Sequence, residues 1–157
     1  MTPIILDVNV LVRLADLSAP LHPIAKAAVS RLHTAGETLR TVPQSVYEFW
    51  VVATRPRDKN GLSLSIADCE HELTRLQAAF PLLDDQPGLF AEWRTLVADY
   101  QCHGKVAHDA RYVAAMRTHG ITRILTFNVD DFARYPHITV LDPKTIAASA
   151  TPPSTTP

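Results

Sequence analysis

Residues 3–12 read PIILDVNVLV, and this stretch decides how the fold is interpreted. The apolar run at residues 4–6 is short and rich in β-branched side chains, which is typical of a buried strand in a parallel sheet. It ends at Asp7, the first polar side chain after the run. Apolar residues between positions 10 and 17 then predict a short helix. We therefore expect a strand and a helix joined at a carboxylate that lies at the carboxyl edge of the sheet.

The rest of the chain alternates between the patterns of helices and strands. We predict further strands at residues 38–42, 80–83, 123–126 and 138–141. We predict further helices at residues 24–35, from 43 onward, and at 65–79, 89–100 and 108–119. This alternation predicts an α/β fold with a mainly parallel five-stranded sheet and helices on both faces.

Composition indicates one globular domain. The chain has 157 residues, of which 46% are hydrophobic and 20% are charged, as in proteins with a substantial core. We assign residues 1–146 to this domain. Residues 147–157 end in TPPSTTP, and we expect them to be a disordered tail because small, polar and Pro-rich segments bury little apolar surface.

The same sequence features favour a cytoplasmic protein. No apolar run is long enough to span a bilayer, and the N-terminal MTPIILD lacks the basic segment of a secretory signal. Cys69 and Cys102 show neither CxxC nor disulfide-framework spacing, so we expect reduced thiols. The net charge of −1 does not indicate nucleic-acid binding, and any site for a polyanion has to be built locally.

Three carboxylates from separate segments are expected near one edge of the sheet. Asp7 follows the first strand, although it could equally cap the next helix. Glu48 lies in QSVYEFWVVA, an otherwise apolar helix where an ionised carboxylate needs a partner unless it faces solvent. Asp109 lies in the first turn of the helix in KVAHDARYVAAMRTHG, a position that favours acids in any case.

The segment TFNVDDF, residues 126–132, follows the fourth strand and reaches the same edge. It offers Thr126, Asn128, Asp130 and Asp131. Turn formation explains Asn128 and Asp130 equally well. Several acids at one edge repel one another, and Mg²⁺ removes that conflict with only one or two direct carboxylate ligands. The histidines lack the spacing of a zinc site, but His108 is a candidate phosphate contact beside Asp109.

Four motifs in order resemble those of a known family. LDVNVLV at residues 6–12, Glu48 in the third helix, HDARYVAAM at residues 108–116 and LTFNVDDF at residues 125–132 look like the motifs of PIN-domain ribonucleases. More narrowly, they look like those of the VapC-type toxins of type II toxin–antitoxin systems. The resemblance spans about residues 4–143. It implies an enzyme that hydrolyses RNA phosphodiester bonds with Mg²⁺ or Mn²⁺.

The resemblance also implies roles for individual residues. Asp7 and Asp109 would bind the metal ion directly, and Glu48 would position or deprotonate the attacking water. Asn9 and Thr126 would orient these acids through hydrogen bonds.

The fourth corner of the site departs from the family pattern. Members often carry an acid two residues after the threonine, where this chain has Asn128. Either Asn128 fills the position through its carbonyl or a water, or Asp131 reaches the metal. We therefore count Asp131 among the catalytic candidates.

The family further implies an RNA substrate, an antitoxin partner of the VapB type and a homodimer. Candidate contacts to RNA phosphates are the basic residues nearest the acids: Arg55, Arg57, Lys59, Lys105 and Arg111. A solvated loop explains the first three equally well. Apolar side chains exposed on residues 65–83 would serve the antitoxin or a second subunit.

Two alternative functions fit parts of the pattern. A phosphatase of the haloacid-dehalogenase type also begins with a strand that ends in Asp, but it needs a second Asp where this chain has Asn9. A PIN-like module that binds RNA or protein with little catalytic activity is supported by Asn128 at the fourth corner.

Overall fold

A parallel sheet of short strands forms the centre of the molecule. The computed structural model describes residues 2–149. Its strands are β1 (Ile4–Leu6), β2 (Leu39–Arg40), β3 (Arg123–Leu125) and β4 (Thr139–Leu141). They are hydrogen-bonded in the order β2-β1-β3-β4, and each neighbouring pair is parallel. The prediction of an α/β fold with a parallel sheet is confirmed.

The sheet is covered by helices on both faces. The described helices are α1 (Val8–Ala15), α2 (His22–Thr34), α3 (Pro43–Thr54), α4 (Ile66–Ala79), α5 (Leu89–Asp99), α6 (Val106–Thr118), α7 (Val129–Phe132) and α8 (Pro143–Ala148). Ile4 and Leu6 pack in the core that contains α1, α2, α3 and α4, whereas Ile5 packs in the core with α5, α6 and α7. Side chains on a strand alternate between faces, so a fully apolar run is required when both faces are buried.

The third strand predicted in chain order, at residues 80–83, is wrong, so the sheet has four strands and not five. This segment contributes a single parallel bridge between Leu82 and Thr41 at the edge of the sheet. Phe80 ends α4 by donating its backbone N–H to Leu76 O at 2.7 Å. Pro81 has no N–H to add to a ladder. The segment is therefore apolar because it packs into the core at the end of α4, and not because it forms a strand.

Two short helices lie where none was predicted. α7 forms a single turn inside the expected loop at residues 126–132. α8 follows β4, and the Asp142 side chain caps it by accepting the backbone N–H of Lys144. Residues 147 and 148 of the expected tail belong to α8, and residues 150–157 lie outside the described residues. Among residues 2–149, no helix combines the length and the apolar character needed to cross a membrane.

Candidate active site

The parallel register of β1 and β3 brings their carboxyl ends together. Leu6 pairs with Leu125, so that Asp7 and Thr126 follow as the next residues at the same edge. Asp7 also donates its backbone N–H to Leu125 O at 3.1 Å, which keeps the two chain segments adjacent. The site therefore starts where the sheet ends, as expected for an open α/β sheet.

Asp7 is buried and accepts hydrogen bonds at both carboxylate oxygens. Oδ1 accepts the backbone N–H of Val8 at 2.7 Å, which caps α1. Oδ2 accepts the hydroxyl of Thr126 at 2.7 Å and the amide of Asn9 at 3.1 Å. The two roles that the sequence left open, helix cap and site carboxylate, are thus compatible in one side chain.

Asn9 and Thr126 brace Asp7 from two sides. Asn9 Nδ2 donates to Thr126 Oγ1 at 3.0 Å, and Asn9 Oδ1 accepts the backbone N–H of Phe127 at 3.1 Å. Thr126 Oγ1 also accepts the backbone N–H of Asn128 at 3.0 Å. Because both functional groups of Asn9 are engaged in this brace, its position is that of an orienting residue and not of an acid or base.

Glu48 reaches the same edge from α3 and is held at both oxygens. Gln44 Nε2, one turn earlier on α3, donates to Glu48 Oε1 at 2.9 Å. The hydroxyl of Tyr112 donates to Glu48 Oε2 at 3.0 Å. The sequence analysis missed Gln44 and Tyr112. The spacing of Gln44 and Glu48, four residues apart on a helix, was the one available signal.

Asp109 stands in the first turn of α6 and is half-buried. Its carboxylate accepts no side-chain or backbone hydrogen bond from the described residues. Its pKa is raised to about 6, mainly by burial and further by the charges of Asp131, Asp7 and Glu48, while His108 has an opposing effect. Asp109 is therefore surrounded by like charges.

Burial also raises the pKa of Asp7 to about 6, although the hydrogen bonds from Thr126 and Val8 oppose this effect. The charge of Glu48 adds to the increase. Raised pKa values at two carboxyls in one site are typical of a functional centre that is incomplete without a cation or a proton.

The candidates for the fourth corner differ in their effect on Asp109. Asp131 is the charge with the largest effect on the pKa of Asp109, and Asp130 is not among the groups that shift it. Asn128 is exposed and precedes α7 without a side-chain cap bond, while its backbone N–H binds Thr126. The charge of Asp131 therefore acts on Asp109, whereas the Asn128 side chain makes no hydrogen bond to the acids among residues 2–149.

The acids form a loose cluster and not a finished metal cage. Within residues 2–149, no three His, Cys, Asp or Glu side chains are close enough to bind one ion together. Mg²⁺ uses one or two direct carboxylates and retains several waters. The oxygen-only donor set and the raised pKa values of Asp7 and Asp109 fit such a hydrated hard cation.

Arg55 and Arg57 line an open groove beside the acids. The groove has a volume of about 740 Å³, and its wall includes Asn9 from the acidic site. Arg55 donates from a terminal nitrogen to Asn60 O at 3.1 Å. Arg57 is exposed and 3.5 Å from Asp16, a distance at which an exposed pair contributes little.

The candidate cations near Asp109 differ in their availability. Lys105 is exposed just before α6, and nothing in the described part of the chain pairs with its charge. Arg111 instead donates to Asp85 Oδ2 at 2.6 Å, across to the loop before α5. Arg111 is therefore paired in this structure, whereas the charge of Lys105 is available to a phosphate.

Comparisons with solved structures agree with this fold. The toxin–antitoxin protein VapBC2 of Rickettsia felis, solved with a promoter DNA fragment, has a TM-score of 0.68 at 12% identity, covering 90% of this chain and 98% of that chain. VapC20 of Mycobacterium tuberculosis, described as a toxin that cleaves the sarcin-ricin loop, has a TM-score of 0.61 at 18% identity, covering 84% and 95%. A toxin–antitoxin complex from Klebsiella pneumoniae has a TM-score of 0.58 at 20% identity, covering 89% and 97%.

A search of curated proteins found no significant relative. The family model of the PIN domain matches residues 4–138, which include both core clusters, the acids and the brace around Asp7. The chain therefore belongs to the PIN domain family.

Proposed function

We propose that this chain is a metal-dependent endoribonuclease and the toxin of a VapBC-like toxin–antitoxin pair. The observation that carries the proposal is the convergence of Asp7, Glu48, Asp109 and Asp131 from four separate segments at one edge of the sheet. Burial raises the pKa values of Asp7 and Asp109, and neighbouring carboxylates add to the increase at both residues. A stability-driven site would not collect like charges without a ligand.

Asp7 and Asp109 are the proposed direct ligands of a Mg²⁺ or Mn²⁺ ion, and Asp131 completes the oxygen set directly or through water. Such an ion, when bound, would supply a positive charge that can stabilise the phosphate oxygens and activate water. Thr126 and Asn9 keep Oδ2 of Asp7 in one orientation. Glu48 accepts a proton from the attacking water at a remaining lone pair of its carboxylate oxygens.

The first test is cleavage of structured RNA in Mg²⁺, with EDTA and Asp7→Asn as the two ways to stop it. We expect loss of activity in both, by a factor of about 10³ for Asp7→Asn, because its oxygens are central to the cluster. Asp99→Asn, at the exposed end of α5, is the matched control and should retain full activity. Cleavage that persists in EDTA and in Asp7→Asn would contradict the mechanism.

RNA is proposed to bind along the groove that contains Arg55 and Arg57. The groove adjoins Asn9, so a phosphate chain that passes the acids can continue into it. Changing Arg55 and Arg57 to Glu in an Asp7→Asn background should weaken RNA binding and reduce the salt slope by about one unit per lost phosphate contact. Arg94→Glu on α5 is the control, and an unchanged affinity and slope in the double variant would remove the groove from the proposal.

An antitoxin and a second subunit are proposed as partners. The solved toxin–antitoxin assemblies with the same fold support the first. Exposed large apolar side chains are available to either partner: Leu17, Tyr47, Val51, Ile66, Leu82 and Phe90. They lie mostly outside residues 65–83, where the sequence analysis placed the partner surface. Light scattering of the purified chain, alone and mixed with the product of any small reading frame found beside its gene, tests both partners, and a monomer that binds no such product would contradict them.

The alternative of a weakly catalytic binding module rests on Asn128, and the effect of the Asp131 charge on Asp109 weakens it. Proteins of that kind would bind RNA without Mg²⁺-dependent cleavage. The phosphatase alternative requires an acid at position 9, and Asn9 is committed to Asp7, Thr126 and Phe127. A colorimetric phosphatase assay in Mg²⁺ should therefore give no activity.

A further inference from the structure

Glu48 is the one acid of the site whose two oxygens are each held by a different buried side chain. Gln44 and Tyr112 are 5% and 1% exposed, and they donate to Oε1 and Oε2 at 2.9 and 3.0 Å. A free glutamate side chain samples several rotamers, and two donors from different elements restrict it to one.

Gln44 connects Glu48 to the segment that carries Asp109. Its Nε2 also donates to the backbone carbonyl of His108 at 2.8 Å, so both N–H groups of the amide are used. The reverse orientation would turn Gln44 Oε1 toward a carboxylate and a carbonyl, which only accept hydrogen bonds. In the present orientation Oε1 is buried without a partner in the described part of the chain.

Tyr112 connects Glu48 to the segment that carries Asp7. Its hydroxyl donates to Glu48 and accepts the backbone N–H of Val8 at 3.3 Å. Val8 is the first residue of α1 and directly follows Asp7. Burial, with the charges of Asp7 and Glu48, raises the pKa of Tyr112 well above its ordinary value, so the phenol stays a donor.

We propose that Gln44 and Tyr112 are positioning residues that fix the direction of the Glu48 carboxylate relative to Asp7 and Asp109. The proposal rests on the proposed nuclease function and extends it. Gln44 and Tyr112, which we call the clamp, each link Glu48 to the backbone beside a different acid. The three carboxylates therefore keep fixed positions relative to one another. Since a misplacement of about 1 Å can cost about 100-fold in rate, the benefit falls on the chemical step and not on substrate binding.

The test is single-turnover cleavage of an RNA that the wild-type enzyme cuts in Mg²⁺. We expect Tyr112→Phe and Gln44→Met each to lower the rate constant about 10- to 100-fold with little change in the RNA concentration that gives half-maximal rate. Tyr100→Phe is the matched control, because the Tyr100 ring contacts Tyr135 edge-to-face and, within residues 2–149, its hydroxyl makes no hydrogen bond to Asp7, Glu48 or Asp109.

A Glu48→Gln background separates positioning from folding. If the clamp acts through Glu48, Tyr112→Phe should cost less than about 2-fold there, because the base is already absent. An equal loss in both backgrounds, or wild-type activity in Tyr112→Phe, would overturn the proposal.

A second measurement does not depend on cleavage. In the metal-free protein, ¹³C relaxation of the Glu48 carboxyl should report an ordered side chain in the wild type and a mobile one in Tyr112→Phe. An equally ordered Glu48 in the variant overturns the clamp even if the enzyme cuts RNA. A mobile Glu48 in a protein that cuts no RNA supports the clamp and contradicts the nuclease function alone.

Discussion

Asp7 and Asp109 belong to one site and both have a pKa of about 6, yet their surroundings are opposite. Asp7 is 6% exposed and accepts hydrogen bonds from Val8, Asn9 and Thr126. The carboxylate of Asp109 is half-buried and accepts none from the described residues, and after burial its pKa responds mainly to neighbouring negative charges.

The difference indicates a fixed half and an adjustable half of the site. Asp7 is part of the scaffold, because its carboxylate caps α1 and joins the ends of β1 and β3. Asp109 is positioned only by its place in α6, so its side chain can adapt to a ligand. A hydrated cation that needs few direct ligands is suited to one rigid and one adaptable carboxylate.

The strongest way to break this comparison is to lengthen each acid by one methylene. Asp7→Glu should lower RNA cleavage by about 10²-fold or more, because the rigid brace cannot accommodate a displaced carboxylate. Asp109→Glu should lower RNA cleavage only about 10-fold, and higher Mg²⁺ should restore part of the activity. No hydrogen bonds hold the carboxylate in place, so the longer side chain can readjust. Initial rates across a Mg²⁺ series measure both variants, and equal losses would show that the two halves do not differ.

The brace itself is tested by Thr126→Val, which removes a fully buried hydroxyl and keeps the shape of the side chain. Oδ2 of Asp7 loses a donor, while Asn9 and Asn128 lose an acceptor. We expect the free energy of unfolding to fall by about 3 kcal/mol in urea titrations. Thr126→Ser keeps the hydroxyl, so its free energy of unfolding should fall by only about 1 kcal/mol. Similar losses in the two variants would contradict the brace.

The adjustable half predicts the opposite sign of effect on stability. Asp109→Asn removes a half-buried charge that makes no hydrogen bond, so at pH 7 in EDTA it should raise the free energy of unfolding by about 1 kcal/mol after allowance for solvent screening. The folded pKa of about 6 lies above the ordinary 3.8. The folded state therefore holds this proton more tightly, and the stability it contributes is present below pH 4 and lost as the pH rises to about 6.

The pH dependence gives that prediction its control. The difference in stability between Asp109→Asn and the wild type should grow from pH 4 to pH 6 and then stay constant. Glu37, whose pKa is lowered by Arg123, acts in the other direction and is common to both proteins, so the difference isolates Asp109. A difference that does not vary with pH would contradict the assigned pKa.

The fold was predictable where one segment has a single physical task. Residues 4–6 are apolar because both faces of β1 are buried, and this continuous run identifies the strand. Residues 80–83 are also apolar, but Phe80 fills the core at the end of α4 and Pro81 interrupts the ladder. A short apolar run does not reveal which of these tasks it performs.

The site was predictable where position along the chain determines position in space. Asp7 at a strand end and Asp109 at a helix start follow from the topology. Gln44 and Tyr112 act through bonds between groups 64 residues apart, and these depend on how α3 packs against α6. The ion pair between Arg111 and Asp85 likewise joins two segments that are distant in the sequence. Pairings of this kind are properties of tertiary packing and leave no local pattern.

The smallest expected effect concerns the fourth corner. Asp131 raises the pKa of Asp109 by charge alone, across an exposed and screened surface, so Asp131→Asn should lower the Asp109 pKa by a fraction of a unit. Asp130→Asn, one position away on α7, is the matched control and should leave it unchanged. An NMR titration of the Asp109 carboxyl measures both. The pKa of Asp7 depends on burial, on its own hydrogen bonds and on the charge of Glu48, so it should not change in either variant. A shift at Asp7 as large as that at Asp109 would mean that the two acids share one environment, and the division into a fixed and an adjustable half would be wrong.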